Sequence, residues 1–156
     1  MRFAVLGSGS GGNSAIIECD GEYLLVDAGL SSKQLNLRLG LLGVVPEQLS
    51  GILLTHEHGD HVRGLDVFLR KCPVPILASI MTGRVVQEGL REPVEWIVFE
   101  SGQKFSWKGF DFTTFPLPHD AVEPVGYVIT RGKYSVGVAT DLGHVDKQVT
   151  LALKGV

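Results

Sequence analysis

Apolar residues come in short alternating or continuous blocks over the first fifty positions, and glycine-rich breaks separate them. FAVL, AIIE and YLLV are strand-forming blocks, and Asp20-Gly21 between the second and third is a two-residue hairpin signal. This pattern predicts strands at about 2–6, 14–19 and 22–27, joined as an antiparallel meander. In SSKQLNLRLGLLG the leucines at 35, 39 and 42 recur at helical spacing, with Ser31 or Ser32 as N-cap and Gly43 as the stop. GILLT (51–55) reads as a short buried strand, and VRGLDVFLRKC as a helix with Val62, Leu65 and Leu69 on one face. PILAS and EWIVFE read as strands on either side of a helix at about 79–90. QKFSW, GFDFTTF, VGYVITRG and KYSVGVAT then form successive strands, with turns at Lys108-Gly109 and at Gly132. Phe105, Trp107, Phe110, Phe112 and Phe115 alternate as strand residues do, which suits core packing better than base stacking. Val145, Val149 and Leu153 repeat every four residues and predict a helix at the C-terminal end.

Gly7, Gly9 and Gly12 spell G-x-G-x-x-G after the first apolar block, and Asp27 follows where a dinucleotide fold carries its acidic residue. That fingerprint needs a helix straight after the glycines. The Asp20-Gly21 hairpin leaves no room for one, so the loop reads as a turn between two strands, and NAD binding is not expected. Ser10 and Asn13 within it either hold the loop or touch a substrate.

The densest chemistry is THEHGDH, residues 55–61, which gathers three of the five histidines. His56 and His58, two apart on an extended segment, project to one side and can share an ion. Gly59 lets the chain turn, so Asp60 and His61 can serve an adjacent position. Imidazole with carboxylate suits zinc, manganese or iron rather than calcium.

These residues carry a resemblance to the metallo-β-lactamase superfamily, whose H-x-H-x-D-H signature is matched by His56, His58, Asp60 and His61. Asp27 in LLVDAG, His119 in PLPHD and Asp141 in VGVATDLG match its other landmarks in order. The GSGSGGNS start and VATDLGH most resemble the YycJ/WalJ/VicX branch, which is associated with DNA exonuclease activity. The resemblance implies an α/β, αββα sandwich in a single domain over 1–156, truncated in its C-terminal half. It implies that His56, His58 and His119 bind a first divalent metal, that Asp60 and His61 bind a second, and that Asp141 bridges the two. Asp27 would orient a ligating imidazole, although a turn or cap role is also open to it. The implied reaction is metal-assisted hydrolysis by a metal-bridged hydroxide, with Asp60 and Asp141 in catalytic positions. A phosphodiesterase or nuclease acting on DNA is the leading reading. A small-molecule hydrolase (of a cyclic phosphodiester, lactone, thioester or β-lactam) and a non-catalytic metal-binding fragment are the alternatives.

One family element is missing: a last histidine beyond the strand that ends in the bridging aspartate. His144 lies only three residues past Asp141 and reads as a helix-start or loop residue, or else as a substrate-side proton donor. The second metal is therefore expected to be the weaker. Either the chain is part of a longer protein or a partner chain supplies what is missing, and in both cases exposed edges favour homo-oligomers.

With 44% hydrophobic residues and a net charge of -3, the chain is globular and has no broad basic field, so nucleic acid must be held locally or by metal. Arg63, Arg70, Lys71 and Arg84 read as solvated helix faces, although Arg63 is near enough to the motif in sequence to meet a phosphate. Cys19 and Cys72 do not form a disulfide framework. Neither a membrane span nor a secretory signal is apparent, and a cytoplasmic location is expected.

Overall fold

Two β-sheets lie face to face in a computed structural model that describes residues 1–156. The first sheet has the order β1-β2-β3-β4-β5-β6, from β1 (Arg2–Gly7), β2 (Ser14–Cys19), β3 (Glu22–Val26), β4 (Leu49–Leu53), β5 (Ile76–Ser79) and β6 (Trp96–Phe99). The first three strands form the antiparallel meander, and β3 to β6 run parallel. The crossovers carry α1 (Ser32–Leu41), α2 (Gly59–Val62), α3 (Leu65–Leu69) and α4 (Ile80–Gln87). The second sheet is antiparallel, ordered β10-β9-β8-β7, from β7 (Lys104–Trp107), β8 (Phe110–Pro116), β9 (Val125–Arg131) and β10 (Tyr134–Val138). A short α5 (Lys147–Ala152) follows.

Strand alternation sorts the core into layers. Ile16, Leu25, Ile52, Ile76 and Ala78 point to one side of the first sheet, where they meet Leu35 and Leu39 of α1, Phe68 of α3 and Val86 of α4. Ile17, Leu24, Val26, Leu53 and Leu77 point the other way, against Phe110, Phe112, Tyr127 and Ile129 of the second sheet. Each such side chain, once fully buried, contributes about 1.5–3 kcal/mol. On the outer side of the second sheet Phe115 packs with Val149 of α5, completing an αββα order. No helix is long and apolar enough to cross a membrane.

The glycine-rich segment is a turn between antiparallel strands, as its hairpin context requires. Asp20-Gly21 and Lys108-Gly109 both have positive φ at both residues, the conformation of the tight hairpin turn. Ser31 caps α1 through its side chain, and Gly43 ends the turn that follows with φ 73°.

Four details depart from the periodicity. The helix expected after the metal motif is two short helices broken at Gly64, whose backbone is pressed against the 28–30 segment and donates to the Ala28 carbonyl at 2.8 Å. Leu42 lies past the end of α1 and is exposed. Val145 precedes α5 and is exposed, so only Val149 and Leu153 of that repeat pack. Phe115 keeps the alternation out of the inner layer and faces α5 instead.

Candidate metal centre

Four loops meet at the ends of β3, β4, β8 and β10. Residues 55–61 leave β4: Thr55 and His56 are buried, His58 is the N-cap of α2, and Asp60 and His61 fall in its first turn. The His56 and His58 imidazoles lie edge to face with ring centroids 4.7 Å apart, and His58 has extended backbone angles. His119 arrives from the loop after β8, and Asp141 from the end of β10. His56, His58 and His119 bring one donor atom each within 4.8 Å of one another, and so do His56, His61 and Asp141. Asp141 Oδ2 stands 3.5 Å from His56 Nε2 and 2.6 Å from His61 Nε2, between the two sets. Asp60 Oδ2 is 3.7 Å from His61 Nε2.

Asp27 lies beneath this cluster, 1% exposed, at the end of β3. Its Oδ1 accepts from the Thr55 amide at 2.8 Å, and its Oδ2 accepts from the Thr55 hydroxyl at 2.8 Å. The same Oδ2 is 2.7 Å from His61 Nδ1, so the proton sits on Nδ1 and Nε2 is left as a lone-pair donor facing the cluster. Thr55 Oγ1, its own hydrogen used on Asp27, accepts from His56 Nδ1 at 3.0 Å and fixes that ring in the same tautomer. Tyr127 adds a tie between the sheets, its hydroxyl donating to the Leu54 carbonyl at 2.5 Å. Thr55 and Tyr127 escaped sequence reading. A threonine closing an apolar strand just before the histidines was the only available signal.

The glycine-rich loop supports the motif from the other side. Asn13 Nδ2 donates to Asp60 Oδ2 at 3.0 Å while its Oδ1 accepts from the Gly9 amide at 2.8 Å, which sets the orientation of the side-chain amide. The Asn13 amide also donates to the Asp60 carbonyl at 2.7 Å. Nδ2 is 3.0 Å from His61 Nε2 as well. Asn13 therefore holds both the loop and Asp60. Ser10 and His144 are exposed and belong to neither donor set.

Burial, reinforced by His61, His58 and His119, lowers the His56 pKa to about 4, against the opposing pull of Asp141. That imidazole is neutral at any ordinary pH. Burial also works to lower the pKa of His61, but the hydrogen bond and charge of Asp27, with Asp141 and Asp60, outweigh it and raise the value. Burial raises the pKa of Asp27 against its bonds to His61 and Thr55.

The donors fit a divalent metal. His56 Nε2 is buried with no hydrogen-bond partner, a costly state for a ring nitrogen unless it ligates. His58 Nδ1 and His119 Nε2 face each other at 3.1 Å, as two ligands of one ion do. Asp27 and Asp141 both have positive φ, 57° and 53°, a strained backbone that turns each carboxylate into the site.

The Beta-lactamase superfamily domain matches residues 22–156. "Exodeoxyribonuclease WalJ" of Streptococcus pneumoniae is 34% identical over 153 residues, 96% of this chain and 57% of that protein. "Exodeoxyribonuclease YycJ" of Bacillus anthracis is 33% identical over 157 residues, 99% of this chain and 60% of that protein. The chain thus spans somewhat over half the length of these relatives. Among solved structures, Zn(2+)-bound PqqB from Methylobacterium extorquens superposes with a TM-score of 0.81 at 17% identity, covering 99% of this chain and 70% of that one.

Proposed function

We propose, from the premise that this chain belongs to the β-lactamase superfamily, that it is a dinuclear metal-dependent phosphodiesterase acting on DNA as an exonuclease. The observation that carries this reading is the pair of donor sets sharing His56, whose Nε2 is buried without any other partner. The fold implies divalent metals. We assign His56, His58 and His119 to the first ion and Asp60, His61 and Asp141 to the second, with Asp141 reaching both. Zinc or manganese suits these donors, and iron is compatible with them. The second site is the weaker, because the histidine that joins His61 and Asp141 is His56, which the first set already uses, and Asp60 stands outside both sets with Oδ2 3.7 Å from His61 Nε2.

Bound as a pair, two divalent ions supply activated water for hydrolysis and neutralise charge on a phosphodiester. The remaining work falls to the protein. His56 stays neutral and binds without first losing a proton. Asp27 and Thr55 hold the His61 and His56 rings in their ligating tautomers. Asn13 steadies Asp60 through Oδ2 and leaves Oδ1 unengaged by that amide, the oxygen that would serve as a ligand or a base. Asp141, 37% exposed, is open to an incoming strand. Arg63, exposed and in no ion pair, follows the motif and is suited to a phosphate. The names of the relatives at 33–34% identity support DNA over a small molecule. We also infer self-association through two of the four sheet edges, β1, where Phe3 and Val5 are exposed, and β10.

The test is cleavage of end-labelled single- and double-stranded DNA by the metal-loaded chain, beside His58→Ala and Asp60→Ala variants. Shortening from an end, abolished in both variants, is expected. Hydrolysis of a small diester or lactone without DNA cleavage would replace the nuclease reading by that of a small-molecule hydrolase.

A further inference from the structure

Local bonds give the loop that carries His119 its shape. The Leu117 amide donates to the Pro124 carbonyl at 3.0 Å, the His119 amide to Leu117 at 2.9 Å, and the Ala121 amide to His119 at 3.0 Å. None of these bonds reaches outside the loop, so none decides where the loop sits relative to the other two histidines.

Position comes from three neighbours. At the base of the loop the Val125 amide donates to the Thr55 carbonyl at 2.9 Å. On one flank the Ser79 and Thr82 hydroxyls donate to the Glu123 carbonyl at 3.1 and 3.3 Å, and the Glu123 side chain accepts from the Met81 amide at 3.1 Å. On the other flank Glu57 Oε1 accepts from the Val122 amide at 2.8 Å, across 65 residues of sequence. Glu57 fills the position between His56 and His58. The three-residue segment that offers two donors of the first set thus also fastens the loop that offers the third. Glu57 Oε2 is buried and has no partner. A buried carboxylate oxygen without a partner is costly to desolvate, and the carboxylate's one hydrogen bond, from the Val122 amide, falls on the other oxygen, Oε1.

The need for a fastening is visible in the donors themselves. His58 Nδ1 and His119 Nε2 face each other at 3.1 Å. One tautomer lets these two nitrogens hydrogen-bond to each other, but that bond is given up once both lone pairs turn to an ion, so the loop needs a tie that does not use its histidine.

We propose that Glu57 is a positioning residue for the His56–His58–His119 set, fixing the His119 loop through the Val122 amide so that the three nitrogens are preorganised before an ion arrives. This rests on the reading of those histidines as metal ligands. Its test reads metal binding and loop protection rather than hydrolysis, so failure of the nuclease reading leaves it standing.

The experiment uses the full chain stripped with chelator and titrated with zinc alone, comparing Glu57→Ala and Glu57→Gln with the unmodified protein. Glutamine keeps a carbonyl oxygen for the Val122 amide and removes the charge. Alanine is expected to weaken the tighter zinc site by about 10–100-fold and to speed hydrogen exchange at Val122. Glutamine is expected to stay close to the unmodified chain in both measurements. Unchanged zinc affinity in Glu57→Ala overturns the proposal. Equal impairment of both variants also overturns it, since the residue would then act through its charge. Should Glu57→Ala fail to fold, exchange in the unmodified metal-free chain decides: a Val122 amide that exchanges as fast as that of exposed Asp120 rejects the fastening.

Discussion

Asp27 takes the centre's most buried carboxylate and spends both oxygens on it, one on Thr55 and the other shared between Thr55 and His61. Asp27→Asn keeps an acceptor but places an amide against His61 Nδ1, which favours the wrong tautomer. We expect it to lower zinc affinity at the His61–Asp141 set by about 10–100-fold, read by equilibrium dialysis, while the first set still fills. His56 makes a prediction about pH. Its folded pKa near 4 lies below the ordinary 6.5, so unfolding the metal-free chain takes up a proton at any pH between those values. The stability this group confers is complete above about pH 6.5 and is lost as pH falls towards 4, at most on the order of 3 kcal/mol. The raised Asp27 pKa works in the opposite direction, so the comparison is between the unmodified chain and His56→Asn. The urea midpoint should fall more between pH 7 and pH 5 in the former, and parallel falls would reject the assignment.

Short elements around the centre are locked by close backbone approach. A Cβ built on Gly29 would lie 1.6 Å from the Asp60 carbonyl oxygen, and one on Gly64 would lie 1.9 Å from that of Leu30. Both contacts are with backbone, which cannot rotate away. They explain why β1–β2, the 27–30 turn and the α2–α3 pair meet as one unit, and why the helix after the motif breaks at Gly64. Gly64→Ala is expected to destabilise the chain by about 1–3 kcal/mol in urea unfolding. Gly11→Ala, where a Cβ would meet nothing within 4 Å, should be close to neutral. Equal effects at the two positions would contradict the packing argument.

Across the whole molecule, the donors come from both sheets: His56, His58 and His61 follow β4 of the first, whereas His119 and Asp141 follow β8 and β10 of the second. A bound ion therefore bridges the layers as well as serving chemistry. Zinc at a thousandfold excess over its dissociation constant should stabilise the fold by about 4 kcal/mol. Chelation should reverse this in a thermal melt, and a midpoint indifferent to zinc would show that the donors do not act across the sheets.

The sequence by itself determined the meander, the strand pairs and the ligand-bearing motif, because hairpin turns, alternation and His-x-His spacing are local. Ser14–Cys19 was readable to the residue since Asp20-Gly21 fixes one end and the glycines fix the other. The six metal-ligand candidates were legible through the family pattern; five of them, His56, His58, His61, His119 and Asp141, fall into the two donor sets, and Asp60 lies beside His61. Only the tertiary structure decided what Asp27, Asn13, Thr55 and Glu57 contact, because each partner lies far away in sequence or depends on which way a side chain turns. It also decided that a helical repeat must break at Gly64 and that Phe115 faces α5. Periodicity records which side of an element is apolar, while the approach of a distant backbone sets where that element can continue.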